Sequence, residues 1–185
     1  MKRILLGIAL CLVAVLTVSA QSVNFKLSPD GTVKTADAKD FVRVDYKGKT
    51  ATEIFQIIFN NAGAAYKSSK QKVIFTLDGE SLSIRANETD LTFQNEGTMF
   101  SGYYTLKFVV KDGALKVESP KLDAVLTNKE TGVREKDFNK LVMSWYVDGK
   151  LQAKYNAQAS FTEKKLNTIV NSVLQGKSLS ADSEW

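Results

Sequence analysis

Four Asp-Gly pairs, Asp30-Gly31, Asp78-Gly79, Asp112-Gly113 and Asp148-Gly149, each fall between segments that carry apolar residues. Asp-Gly accepts the positive φ angles of a tight reversal, so a chain punctuated this way is committed to antiparallel strands joined by short turns. Val73-Ile74-Phe75-Thr76-Leu77 runs through one such pair into Leu82-Ser83-Ile84-Arg85-Ala86, and the two read as a β-hairpin. A third strand is expected over Leu91 to Asn95, with Glu88-Thr89-Asp90 in a wet turn before it. A long fourth spans Phe100 to Lys111. One of its faces carries Phe100, Gly102, Tyr104, Leu106, Phe108 and Val110 and the other Ser101, Thr105 and Lys107, which predicts burial on one side only. Asp112-Gly113 then leads into Leu115-Lys116-Val117-Glu118, and Pro120 ends that strand because it has no N–H for the ladder.

Two helices are marked by their caps and their period. Thr50-Ala51-Thr52-Glu53 is a capping box, followed at helical spacing by Ile54, Phe55, Ile58 and Ala62. Ser160-Phe161-Thr162-Glu163 predicts a second helix start, with Leu166, Ile169, Val170, Val173 and Leu174 as its apolar stripe, Lys164, Asn167 and Asn171 on a polar face, and Gly176 as its cap. Val42, Val44 and Tyr46 mark one more strand, and Val23, Phe25 and Leu27 an edge strand or ordered N-terminal arm. This order describes an α+β domain, a largely antiparallel sheet with two amphipathic helices packed on one face. Residues 40–176 form that single domain, 21–39 the arm, and 177–185 a polar, mobile tail. Residues 127–159 are the least legible, with a charged run and then Leu141 to Val147, and suggest a short helix and a final hairpin at Asp148-Gly149.

Residues 1–20 read as a secretory signal peptide. Lys2 and Arg3 precede an apolar run that closes on Val18-Ser19-Ala20, which places cleavage after Ala20. Leu10 stands before Cys11 where a lipoprotein signal carries a small residue, so lipidation is not expected. The remaining chain has no cysteine and must hold together in an oxidising compartment, periplasmic or associated with the cell envelope, by its core alone. Its formal charge falls from +5 to +3 with the loss of Lys2 and Arg3, too mild for nucleic acid, which calls for a concentrated basic stripe. The densest positive stretch, Lys67, Lys70 and Lys72, reads as a solvated loop. The membrane enters only through export.

The signal peptide, the capped helix after a short strand, Tyr103-Tyr104-x-Leu106-x-Phe108-x-x-Lys111-Asp112-Gly113, Trp145-x-x-Asp148-Gly149-Lys150 and a closing amphipathic helix together resemble a family of small exported bacterial proteins. That family is classed as a domain of unknown function. The resemblance, over residues 40–175, implies a helix-on-sheet fold like that of the TATA-binding protein. It brings no catalytic or ligand residues with it.

The absence of histidine removes Ser/His/Asp and Cys/His nucleophilic sites, HExxH zinc helices and any imidazole base. Paired carboxylates are what remains, as Glu88 with Asp90 and Glu135 with Asp137, and nothing in the sequence places either pair in a cleft. No calcium-loop pattern occurs, and no metal or cofactor is expected. Lys107 is read as solvated on the outer sheet face. The aromatic residues carry more information. Phe55, Phe59, Phe75, Phe93, Phe100, Tyr104 and Phe108 fall on helix and sheet faces that point at one another, as plain core or as the lining of an apolar pocket. Trp145 and Tyr146 would cover that pocket or serve as an exposed anchor for another protein. The candidate binding residues are therefore Phe55, Phe59, Tyr104, Phe108, Trp145 and Tyr146, with no catalytic residue. The expected function is a non-catalytic binding module for an envelope protein or an apolar small molecule. A structural or assembly component of the envelope without a ligand site comes second and a carboxylate-based hydrolase third.

Overall fold

The hairpins become one six-stranded antiparallel sheet in the computed structural model, which describes residues 22–67, 73–78, 80–94, 98–123, 126–128, 132–134 and 137–179. Two short strands, β1 (Phe25–Leu27) and β2 (Val33–Thr35), pair with each other. They are followed by β3 (Phe41–Asp45), α1 (Ala51–Tyr66), β4 (Val73–Asp78), β5 (Ser81–Gln94), β6 (Thr98–Lys111), β7 (Ala114–Glu118) and β8 (Lys121–Asp123). These strands stand side by side as β3-β7-β6-β5-β4, with β8 beside β6 beyond the end of β7. The chain continues through the pair β9 (Leu126–Asn128) and β10 (Gly132–Arg134), α2 (Phe138–Met143), the hairpin β11 (Tyr146–Val147) and β12 (Lys150–Leu151), a 3-10 turn at Ala153–Tyr155, and α3 (Asn156–Gln175). The short helix and final hairpin expected in the illegible stretch are α2 and β11–β12.

Alternation decides which face is buried. Leu82, Ile84 and Ala86 lie opposite Phe108, Leu106 and Tyr104, and all six are buried under α1 and α3, which cross the same face and pack on each other. Gly31, Gly113 and Gly149 take the expected left-handed φ of 80°, 74° and 72°, and Asp148 joins Gly149 at 49°, so that hairpin turns with both central residues at positive φ. Gly79 lies outside the described residues, although Asp78 and Ser81 pair across its turn.

Two sequence expectations are corrected. Glu88-Thr89-Asp90 is not a turn between two strands, because β5 runs unbroken through it and its pairing with β6 shifts between Glu88 and Thr92. The irregularity absorbs two extra residues. It seats Leu91 over Gly102, where an added Cβ would come within 2.6 Å of Leu91 Cδ2. Glu88 is buried at 6% exposure and pairs with Lys165 of α3 at 3.2 Å. Asn95 lies outside the described residues. The second correction concerns α3, which starts four residues before Ser160, at Asn156, with no side-chain cap. Gln158 and Ala159 are buried, and their packing carries the helix back past the sequence signal. Ser160 and Glu163 are simply one turn apart inside it, a spacing any helix interior reproduces. Gly176 does end α3 in the left-handed conformation, at φ 64°, and Asn61 of α1 donates its Nδ2 to the Leu174 carbonyl at 2.8 Å.

The N-terminal arm is held by α3. Asn171, Asn167 and Glu163 meet the backbone of Val23, Phe25 and Leu27, so the face expected to be plainly polar is the seat of β1. Residues 1–21 and 180–185, where the signal peptide and most of the polar tail are expected, lie outside the described residues, as do residues 68–72 with Lys70 and Lys72.

Candidate functional site

The groove at the β4 edge begins with the cap of α1. Thr50 Oγ1 accepts the Glu53 N–H at 3.3 Å while Glu53 Oε2 accepts the Thr50 N–H at 2.8 Å, the reciprocal capping box expected from the sequence. These bonds hold the Glu53 carboxyl below the usual range. Asp112 Oδ1 accepts the Ala51 N–H at 2.8 Å and ties the helix start to the β6–β7 turn. From there Ile54, Ile58, Ala62, Ala65 and Tyr66 face the sheet. Phe55 and Phe59 follow that stripe one position round the helix, which turns them toward its flank.

There the rings form a row. Phe55 and Phe59 stack with centroids 6.2 Å apart, Phe59 meets Phe75 of β4 edge-on at 6.5 Å, and Phe75 meets Tyr66 edge-on at 6.1 Å. The Tyr66 and Tyr104 hydroxyls then hydrogen-bond at 2.8 Å inside the core. Burial pushes both phenols well above the ordinary tyrosine range, and the nearby Glu88 carboxylate adds to the shift. The row thus leads from the surface to the centre of the molecule.

Its outer end is open. A shallow groove of about 230 Å³ is lined by Phe59, Asn60, Gly63 and Phe75. Phe59 is 39% exposed and Phe75 38%, and beside them on β4 Ile74 and Leu77 are exposed at 48% and 55%. A Cβ added at Gly63 would meet nothing within 4 Å, so this glycine leaves the groove floor vacant. The Asn60 amide is the one polar side chain in the lining, and it moves no protons near neutral pH.

The six candidate residues part company here. Phe59 lines the groove and Phe55 stacks on it from behind. Tyr104 and Phe108 are fully buried on the sheet, closed to any partner. Trp145 is 3% exposed and stacks on Tyr155 with centroids 5.9 Å apart, so it is core and not an exposed anchor. The reason lies in its neighbours, since α2 brings Phe138 and Val142 into the core just ahead of it. Tyr146 is half-buried and donates its hydroxyl to the Leu27 carbonyl at 3.1 Å, far from the groove in role. The sequence named Phe75 among the facing aromatic residues but missed Ile74 and Leu77, which are exposed beside it on β4. Alternation marked Val73 to Leu77 as a strand, but only the sheet order makes that strand an edge.

Glu88 is taken up by Lys165, Asp137 caps α2 by accepting the Lys140 N–H at 3.2 Å, and Glu135 lies outside the described residues. Among the described residues no three His, Cys, Asp or Glu side chains gather as metal ligands, and no helix is long and apolar enough to cross a membrane.

No family model matches the chain, and no curated protein matches it either. Among solved structures it is similar to a DUF4468 family protein from Bacteroides ovatus, 14% identical, with a TM-score of 0.49 over 80% of this chain and 86% of that one. A likeness of that size leaves the reading of the site to its own residues.

Proposed function

We propose that the protein is an exported, non-catalytic binding module whose working surface is the groove and edge formed by α1 and β4, and that its ligand is a protein. The supporting observation is the clustering of Phe59, Ile74, Phe75 and Leu77 at one exposed margin of the sheet. Contiguous exposed apolar surface of this kind marks interaction sites. A protein ligand fits better than an apolar small molecule, because the groove is smaller and shallower than the roughly 300–1,000 Å³ pockets that enclose such ligands. Export through residues 1–20 belongs to the same reading, as does a likeness in layout to the TATA-binding protein, which concerns architecture alone.

The test is native mass spectrometry of the protein isolated from its own cell envelope, compared with Gly63→Gln. The open space above Gly63 lets the fold accept the side chain while the groove is filled. A protein-sized mass increment that disappears in the variant supports the reading. An increment below about 1 kDa, the size of a single enclosed molecule, would replace it with the small-molecule alternative. Retention of the increment in the variant would move the site elsewhere.

A further inference from the structure

A second groove, of about 370 Å³, runs along α3 where the N-terminal arm begins. Ser22, Lys164, Thr168, Ser172, Gln175 and Lys177 line it together with the two asparagines that hold the arm, and neither an acid nor an apolar side chain is among the lining. The asparagines form a fixed wall. All four of their Nδ2 hydrogens are donated, to Asn24 Oδ1 and to the carbonyls of Phe25, Val23 and Asn167. Thr168 and Gln175 are different, half-buried and with side chains that bond to nothing among the described residues. The single acid of α3, Glu163, is spent on Leu27 and Lys26 and adds no negative charge to the lining. At the end of the helix the carbonyls that would repel an anion are taken up, Ser172 by the Lys177 N–H at 3.0 Å, Val173 by the Gly176 N–H at 3.4 Å and Leu174 by Asn61. The first of these bonds also fixes the backbone of Lys177 at the mouth of the groove.

This lining selects a class of ligand. Without an apolar wall it gives a lipid tail or an aromatic ring nothing to bury against. Two cations with no acid beside them favour a negatively charged ligand. Hydroxyl and amide side chains both donate and accept, which suits a ligand whose own groups do both, as sugar hydroxyls do. Lys164 and Gln175 stand three helical turns apart, roughly 16 Å, too far for one inorganic anion or one sugar ring to bridge. We propose that the groove binds a short run of an acidic glycan, two or three sugar units whose carboxylates meet Lys164 and Lys177 and whose ring hydroxyls meet Thr168 and Gln175. An acidic peptide matches less well, because the groove offers its side chains no apolar contact. The site is separate from the groove between α1 and β4, and stands without the reading given to that one.

Trigalacturonate is the probe. Added to the isotope-labelled protein purified from its own cell envelope, it should shift the backbone amide resonances of Thr168, Gln175 and Lys177 saturably and leave those of Phe59 and Phe75 unmoved. Neutral maltotriose should shift none of them. Gln175→Ala and Lys177→Gln should each weaken trigalacturonate binding by about tenfold. Their melting temperatures should match that of the unaltered protein, because neither side chain has a partner among the described residues. The absence of a saturable shift, or an affinity indifferent to both variants, overturns the proposal. Equal binding of inorganic phosphate overturns it by making the groove a general anion surface, and equal binding of triglutamate by making it a peptide site.

Discussion

The side-chain amide of Asn171 serves Val23 as a neighbouring strand would, its Oδ1 accepting the Val23 N–H at 2.8 Å and its Nδ2 donating to the Val23 carbonyl at 2.9 Å. Four residues earlier Asn167 does the same for Phe25, at 2.7 Å and 2.9 Å. One turn further back Glu163 accepts the Leu27 N–H at 2.9 Å and pairs with Lys26. A helix advances about 6 Å in four residues and a strand about 6.6 Å in two, so the helix side chains keep step with alternate residues of the strand.

That match predicts the effect of removing one rung. Asn171→Ala leaves an N–H and a carbonyl at Val23 without their partner, at a cost of about 1–3 kcal/mol. Asn171→Asp keeps the acceptor and loses the donor, and should cost less. Amide hydrogen exchange at Val23 should accelerate in the same order while the β5–β6 amides stay protected. Unchanged protection at Val23 in Asn171→Ala would mean that the Asn171 amide does not hold the arm.

The Tyr66–Tyr104 pair behaves differently because both partners can be removed together. Tyr66→Phe or Tyr104→Phe alone strands a buried hydroxyl, for about 1–3 kcal/mol, whereas the double change removes both polar groups and should cost less than the two singles combined. The fold favours the neutral phenols, so their contribution is whole below the unfolded value of about 10 and is lost as pH rises past it. Alkaline unfolding followed by tyrosinate absorbance should therefore come at higher pH in the double variant. An equal or lower midpoint would show that these hydroxyls do not set the alkaline limit.

Local signals located most of the elements, and tertiary packing decided the rest. The Thr50–Glu53 box worked because its bonds lie within one turn, and the Asp-Gly pairs at Gly31, Gly113 and Gly149 worked because glycine itself admits positive φ. The Ser160–Glu163 box failed because the same spacing recurs inside helices and the burial of Gln158 and Ala159 pulled the helix start back. Glu88 was misplaced because a bulge leaves no mark in composition. For the site, Phe55 and Phe59 were legible from helical period. Trp145 was not, since the apolar run around it offers no sign of which side chain α2 and the 3-10 turn enclose. Whether Phe75 is covered or exposed depends on strand order, and alternation carries no record of that.

Trp145 gives the clearest contrast between an anchor and a core residue. Enclosed with Phe138 and Val142 and stacked on Tyr155, it should cost about 3–5 kcal/mol on replacement by Ala, with a fall in melting temperature of several degrees at least. Phe59→Ala at the groove rim should change stability far less, because its ring is already partly in water. A melting temperature unmoved by Trp145→Ala would contradict the burial described above.

Gly31 and Gly113 share a left-handed backbone but not their surroundings, which separates strain from steric exclusion. Alanine at Gly113, φ 74° with nothing within 4 Å of the new Cβ, meets only the conformational penalty of about 1–2 kcal/mol. At Gly31, φ 80°, the same Cβ would lie 2.4 Å from the Asn139 carbonyl oxygen and 2.9 Å from its Cα, atoms of the α2 backbone that cannot swing aside. The β1–β2 turn would have to lift away from α2 to admit it. Chemical denaturation should therefore rank Gly31→Ala as clearly the more damaging change, and hydrogen exchange should show β1 and α2 losing protection together. Equal losses at the two positions would mean that α2 yields and that the close approach at Asn139 does not fix the arm in place.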